Sequence, residues 1–486
     1  MAAEEHADDA LGQELTDQEV DFSRWYTQVI RRSKLADYAP VRGCMVIRPY
    51  GYALWERMQA LLDARIKATG HVNAYFPLLV PEELLQKEAE HVEGFAPEVA
   101  WVTHAGQNEL EQRYCIRPTS EAIIGAMYSR WIESWRDLPV LINQWCNVMR
   151  WEKVTRLFLR TSEFLWQEGH TVHATADEAA EEVRRMLDVY EAFIREDLAL
   201  SVVRGEKTAR ERFAGAEQTF SVEGLMRDGR ALQCGTSHNL GQHFARVFDI
   251  TFQNQDGERK FAYQTSWGVS TRLIGALVMG HGDDGGLMLP PRVAPTQVVI
   301  VPIWRKEKDR AAVLEMVDEV RALLRPVARV EADLDDTTTP GWKFNEHELR
   351  GVPVRLEIGP RDVKNRSVVL VRRLNRQKEF VPLGELAARV PALLDEVQAA
   401  ILARSVVYRE ENTREAADWP QFQTLMTETR GFIEANWCGD EDCEKAVQQE
   451  TTATIRCLPL DRDPAVGKCV HCGAPATERA LFAKAY

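Results

Sequence analysis

The sequence has no apolar run of membrane-spanning length, and its acidic first fifteen residues lack the apolar core of a signal peptide. Both absences point to a soluble, cytoplasmic chain. It also lacks an internal repeat, a glycine-rich phosphate loop and any sign of a Ser-His-Asp triad. Positive charge is in deficit: 60 Lys and Arg face 74 Asp and Glu, for a formal net charge of −14. Such a chain is a poor non-specific nucleic-acid binder, so any nucleic acid would need a local basic surface. The segment 355–378 offers one, with Arg361, Lys364, Arg366, Arg372, Arg373, Arg376 and Lys378. The same charges suit a solvated face equally well.

With 486 residues, 45% of them hydrophobic, the chain can build two or three domains with their own cores. Apolar spacing predicts an amphipathic helix at 18–36 and a longer one at 50–69, where Leu54, Met58, Leu61, Leu62 and Ile66 recur. A strand with a bend at Pro77 is expected at 73–80. A helix follows at 178–198, and strand then helix between 244 and 278. The proline-rich stretch 289–295 (LPPRVAP) reads as a linker. Beyond it, strands at 296–302, 352–358 and 367–372 alternate with helices at 306–324 and 383–403, predicting a small α/β domain at about 295–405.

Nine cysteines are unevenly spread: Cys44, Cys115, Cys146 and Cys234 are scattered, and five fall in the last fifty residues. In a cytoplasmic setting that cluster reads as a metal site rather than as disulfides. Cys438-x4-Cys443 and Cys469-x2-Cys472 supply four thiolates, the donor set of a closed, tetrahedral, structural Zn²⁺ site. Cys457 and His471 stand as rival ligands. A closed site leaves no position for chemistry.

The most informative stretch is 147–171, NVMRWEKVTRLFLRTSEFLWQEGHT. Arg150-x-Glu152 precedes a loop and then Arg160-x-x-x-Phe164. An arginine fork grips phosphate oxygens and stays charged. By itself the pattern also fits a polar hairpin with a surface ion pair. It resembles motif 2 of the class II aminoacyl-tRNA synthetases. The run 267–276, WGVSTRLIGA, resembles motif 3, and the helix and strand ending at Pro77 resemble motif 1, the dimer element of that class. The resemblance implies that Arg150 holds the ATP α-phosphate together with the amino-acid carboxylate. It implies that Glu152, Arg160 and Phe164 contact adenine or the γ-phosphate. Arg272 would meet the γ-phosphate, with Ser270 near the nucleotide. Arg150 and Arg272 would be the catalytic pair.

Further elements resemble the prolyl-tRNA synthetases of the archaeal and eukaryotic-like type. In RPTSE (117–121), Thr119 and Glu121 would accept from the secondary ammonium of proline. Trp166, Glu168 and His170 of WQEGH, with Phe213, would form an apolar slot for the pyrrolidine ring. QCGTSHNLG (233–241) would add Thr236 and His238, with Gln233 and Thr236 serving ATP. Cys234 is given no role, nor is the loop HGDDGG after Gly280. Only about a hundred residues separate motifs 2 and 3, which leaves no room for a large editing insertion.

The family thus implies an α/β (α+β) protein in four stretches. These are a flexible N-terminus at 1–20, an antiparallel-sheet catalytic domain at 21–290, an α/β anticodon-binding domain at 295–405, and a zinc-binding domain at 406–486. It also implies L-proline, ATP, Mg²⁺ and tRNA(Pro) as ligands, and a homodimer. Glu357, Arg361 and Lys364 are the candidates for reading the anticodon, and Trp342 and Phe344 either stack on bases or pack a loop. The terminal Tyr486 resembles one whose carboxylate reaches toward the catalytic domain. A threonyl enzyme would carry zinc-type ligands among its catalytic motifs, which this chain lacks; glycyl-tRNA synthetase is the other close rival. A catalytically dead tRNA-binding protein would not need Arg150, Glu152 and Arg272 together.

Overall fold

The structure, a computed structural model, describes residues 15–91 and 98–486. Of the expected flexible start, residues 1–14 lie outside the described residues. The rest is tied down: Thr16 N donates to Gln28 Oε1 at 2.8 Å, and Gln18 Nε2 to the Gly282 carbonyl at 3.1 Å. Asp21 caps the first helix by accepting from Arg24 N, so the helix is Phe22–Arg32, shorter than its periodicity suggests. Lys34 turns the chain at φ +62°, and Ala36–Tyr38 departs as a strand. The helix expected at 50–69 is Pro49–Ala68, opened by a proline whose missing N–H costs nothing there. Its face of Leu54, Met58, Leu62 and Ile66 enters the main core.

The single strand expected at 73–80 is two pieces. Val72–Asn73 pairs in parallel with Val140–Met149, whereas Leu79–Pro81 joins Asn108–Ile116 in a separate three-stranded sheet. Pro77 has no N–H for a ladder, and Arg117 Nη1 donates to the Phe76 carbonyl at 2.7 Å instead.

The largest sheet among the described residues has eleven strands. Its centre runs Val202–Glu206, Gln218–Leu225, Ala231–Gly241, Tyr263–Ser270, Glu163–His173 and Val140–Met149, all antiparallel. The helix Ala176–Ala192 covers one face, burying Val183, Met186, Leu187 and Tyr190 against Phe220, Trp267 and Val269. A capping box of Thr175 and Glu178 starts it, and a wider turn, Phe193–Asp197, ends it. Between 244 and 278 the order differs from the expected strand then helix. The short helix His243–Phe248 comes first, after Gly241 turns at φ +53°, and the strands follow before Arg272–His281. Residues 174–262 make this covering helix, three sheet strands, a short helix and a small hairpin, with no inserted globular unit.

A second sheet of five strands orders Val330–Ala332, Val298–Pro302, Val354–Ile358, Ser367–Arg372 and Lys378–Pro382. Val298, Ile300, Leu356 and Leu370 face the helices Glu307–Leu324 and Leu386–Glu411. That last helix runs well past 403, through the division expected at 405/406, because Val397, Ile401 and Ser405 continue its buried face. The stretch 289–295 is a packed connection: Arg329 donates to the Ala294 carbonyl at 2.9 Å and the Pro291 carbonyl at 2.7 Å.

The C-terminal part is continuous with the large sheet. Strand Thr454–Pro459 sets Leu458 opposite Glu206 and Pro459 opposite Gly205. Beneath this seam Glu223, fully buried, accepts from Lys207 Nζ at 2.8 Å and from Arg456 Nη2 at 3.0 Å.

Candidate active site

A cavity of about 290 Å³ opens over the central strands of the large sheet. Every residue expected to contact amino acid or nucleotide lines it except Glu152 and Arg160. Those two pair with each other at 3.5 Å in the hairpin loop, with Arg160 mostly exposed.

Strands Val140–Met149 and Glu163–His173 form the hairpin that aims Arg150 inward. Arg150 N donates to the Ser162 carbonyl at 2.8 Å and its Nε to the Pro118 carbonyl at 2.9 Å, which fixes the fork's root. The rings of Phe164 and Trp166 lie 5.7 and 5.4 Å from the guanidinium. Arg272 opens the helix Arg272–His281, donating its N to Ser270 Oγ at 3.2 Å and its Nε to the Leu159 carbonyl at 3.2 Å. Burial lowers the pKa of both arginines, and at Arg150 the charges of Glu121, Glu168 and Glu152 oppose that shift. Among the described residues neither forms an ion pair. Two desolvated cations therefore face one cavity, an arrangement suited to an anion.

The other end of the cavity is built for a small cation beside an apolar ring. Thr119 Oγ1 donates to Glu121 Oε2, and Glu121 opens the helix Glu121–Trp131. Trp166, Phe213 and His238 wall the space, with the Phe213 and His238 rings 4.7 Å apart. Burial holds His238 neutral, at a pKa of about 3, and its Nδ1 meets Thr219 Oγ1 at 3.0 Å. Glu168 behaves differently. It accepts from Ser120, from Gln144 Nε2 at 2.8 Å, from His170 Nε2 at 3.0 Å and from Cys146 Sγ at 3.3 Å. Burial works against its charge, yet His170, Ser120 and Gln144 hold its pKa below the ordinary value. Burial likewise opposes the imidazolium of His170, but Glu168 and Glu121 raise its pKa.

Sequence reasoning missed Ser120, Gln144 and Cys146 as supports of Glu168. A signal existed for two of them: Gln144 and Cys146 alternate along one strand, so both face the same side. It also missed Glu211, Thr219, Gly235 and Ser266 in the cavity wall. Cys234 lines the cavity too, but burial pushes its thiol up to about 12, which leaves it without nucleophilic thiolate. Asp283 of the HGDDGG loop pairs with Arg373 and carries no cavity role.

The four cysteines converge. Cys438, Cys443, Cys469 and Cys472 bring their sulfurs within 4.8 Å of one another, with Cys443–Cys469 at 3.7 Å and Cys438–Cys472 at 3.6 Å. Metal–sulfur bonds of about 2.3 Å in a tetrahedron require sulfur separations of about 3.8 Å, so the set fits zinc. Burial and the neighbouring Cys469 sulfur push the Cys443 thiol far up, crowding that a cation would relieve. Cys457 sits apart, in an apolar cluster with Leu225 and Phe432. His471 is adjacent, its Nδ1 3.5 Å from Cys443 Sγ and its Nε2 3.0 Å from Glu450.

On the second sheet, Glu357 pairs with Arg355 at 2.9 Å and Lys378 at 3.4 Å, while Arg361 and Lys364 project from the helix Pro360–Asn365 into solvent. Phe344 packs against Val299, Val301 and Val352, with the Arg355 guanidinium 4.0 Å from its ring; Trp342 is exposed. Tyr486 docks on the catalytic sheet: its N donates to the Ala231 carbonyl at 3.2 Å and its hydroxyl to Asp228 Oδ2 at 2.6 Å.

Residues 101–281 match the family described as tRNA synthetase class II core domain (G, H, P, S and T). Residues 297–393 match the anticodon binding domain, and residues 419–486 the family described as Prolyl-tRNA synthetase, C-terminal. The chain is 59% identical over 476 residues to a proline–tRNA ligase of Rubrobacter xylanophilus, covering 97% of this chain and 98% of that one. It is 57% identical over 475 residues to the proline–tRNA ligase of Natranaerobius thermophilus, covering 97% and 98%. Among solved structures, prolyl-tRNA synthetase from Cryptosporidium parvum complexed with halofuginone and AMPPNP is similar at a TM-score of 0.93 and 40% identity. That match covers 97% of this chain and 99% of the other.

Proposed function

The chain belongs to the proline–tRNA ligase family, and on that premise we propose that Arg150 and Arg272 join L-proline to ATP within the cavity described above. Its activity is ATP-dependent ligation of proline to tRNA, by a class II core without an editing insertion. In the first step a proline carboxylate oxygen attacks the α-phosphorus and pyrophosphate leaves. In the second, the terminal hydroxyl of tRNA(Pro) attacks the mixed anhydride and AMP leaves. Arg150 brings two anions together and offsets their repulsion. Arg272 steadies the leaving phosphates, with Ser270 beside it. Mg²⁺, when bound on the phosphates, adds positive charge to the leaving group.

Thr119 and Glu121 accept from the secondary ammonium of proline. Trp166, Phe213, Thr236 and His238 shape the slot for its ring. Glu168, already filled by its neighbours, acts by holding His170 and Ser120 still. Phe164, Glu152 and Arg160 serve adenine and the outer phosphates, and Gln233 the ribose. A slot of this kind rejects smaller amino acids by only about 10- to 200-fold, so alanine and cysteine are activated slowly.

Cys438, Cys443, Cys469 and Cys472 hold a structural Zn²⁺ in the part from about 406 onward. The domain at 295–405 reads the anticodon, with Glu357, Arg361 and Lys364 at its surface. The edge strand Val72–Asn73, with Val72 exposed on it and Tyr75 exposed just beyond it, is where a second copy joins to make a homodimer. We place the enzyme in the cytoplasm; none of its described helices is long and apolar enough to cross a membrane.

The observation that carries this reading is the pair of half-buried guanidinium groups, neither in an ion pair among the described residues, facing the Thr119–Glu121 end of one cavity. Arg150→Ala should lower proline-dependent pyrophosphate exchange about 100- to 1,000-fold while leaving the melting curve unchanged. Near-normal exchange by that variant would refute the assignment.

A further inference from the structure

The loop 207–217, between Val202–Glu206 and Gln218–Leu225, carries Glu211 and Phe213 into the cavity wall. Its inner end is held locally: Phe213 N donates to Thr219 Oγ1 at 3.0 Å, the hydroxyl that also meets His238. Its outer end is held by another part of the chain. Thr208 Oγ1 donates to Glu444 Oε1 at 3.0 Å, and Arg210 Nη2 donates to Gln448 Oε1. Glu444 and Gln448 are one turn apart on the helix Glu441–Thr451, so they present their acceptors side by side. Lys207 Nζ completes the grip at the Arg456 carbonyl, 2.6 Å away. Thr208 and Glu444 are both buried, so water does not compete for their contact. The helix itself begins at the four-cysteine cluster: Asp440 caps Cys443 N at 2.8 Å, and Cys443 is one of the converging sulfurs.

We infer that the helix Glu441–Thr451 positions the amino-acid side of the cavity, with Glu444 and Gln448 holding Thr208 and Arg210 so that Phe213 closes over the substrate ring. The four-cysteine part stays outside the chemistry yet sets the affinity for the amino acid. Glu444, Gln448 and Thr208 are positioning residues, since they act through Phe213. The inference rests on the reading of Phe213 as part of the proline slot. ATP is bound at the opposite end by Arg150 and Arg272, whose supports come from 118, 159, 162 and 270, so the effect separates the two substrates.

The test is steady-state pyrophosphate exchange by the full chain with proline and ATP varied separately. The double variant Glu444→Ala/Gln448→Ala should raise KM for proline about tenfold, the equivalent of one weakened set of positioning contacts. KM for ATP and kcat should stay within about twofold, the pattern of lost substrate binding alone. Hydrogen exchange of residues 207–217 should quicken in the same variant. Glu444→Gln, which keeps an acceptor oxygen for Thr208, should leave KM for proline at the wild-type value. An unchanged KM for proline in the double variant, or a parallel loss in KM for both substrates and kcat with a lowered melting temperature, would overturn the inference. Phe213→Ala separates the layers. If that variant leaves KM for proline unchanged, the reading of the slot fails. If it raises KM and the helix variants do not, only the positioning role fails.

Discussion

Four donors converge on the Glu168 carboxylate, which in turn raises the pKa of its partner His170 behind the substrate slot. Glu168→Gln keeps the size but puts an NH₂ where acceptors are needed, leaving a donor against a donor. That variant should raise KM for proline about tenfold with little change in KM for ATP, read by pyrophosphate exchange. The same residues predict a pH profile. Burial opposes the charge on His170 but Glu168 raises its pKa, whereas burial holds His238 down near 3, so His238 stays neutral. His238 therefore does not titrate as the pH falls from 6.5 toward about 4, and it should add no inflection to KM for proline in this range. An inflection in that range that is lost in His238→Asn would contradict the buried, neutral imidazole.

Among the elements, the strand Glu163–His173 carries the tightest constraint. A Cβ at Gly169 would lie 2.1 Å from the Trp267 ring, so Gly169→Ala must displace a buried tryptophan on the next strand. The expected loss is about 1–3 kcal/mol, seen as a lower melting temperature together with weaker proline binding. This contact also marks where sequence reading stops. The four cysteines were legible from their spacing, and the hairpin with its motif arginines from its resemblance to the class II motifs, spacing alone fitting a surface ion pair as well. The helix Pro49–Ala68 was legible because one apolar face repeats along it. The break at Pro77 was not placed correctly, because Val72–Asn73 and Leu79–Pro81 choose partners far along the chain. The length of Leu386–Glu411 was missed for the same reason: what buries its last turns is tertiary, as Ser405 Oγ shows by accepting from Ser201 N at 2.9 Å. Glu211 could not be assigned from spacing, since only the folded chain brings its loop to the cavity wall.

At the scale of the whole molecule, one sheet joins the catalytic strands to the C-terminal strands, and the buried charges of Glu223, Lys207 and Arg456 lie at the seam. Removing one member leaves its partners charged and unpaired, so Glu223→Ala should cost about 3–5 kcal/mol, seen as a marked drop in melting temperature. The Arg456 and Lys207 charges outweigh burial and bring Glu223 down to about 2 from 4.5. A depressed carboxylate stabilises the fold above its unfolded value, and that stability is lost as pH falls from 4.5 toward 2. His238 and His281, buried and lowered to about 3 and about 4, act in the same direction once pH drops below 6.5. The protein should therefore lose stability progressively on acidification, and the slope below 4.5 should be shallower in Glu223→Gln than in the wild type.

Label exchange between pyrophosphate and ATP, run with the purified chain, magnesium and each of the standard amino acids in turn, bears most directly on the central claim. The account predicts the fastest exchange with proline, with alanine and cysteine trailing by about 10- to 200-fold. Exchange that is fastest with another amino acid, or absent with all of them, would contradict it.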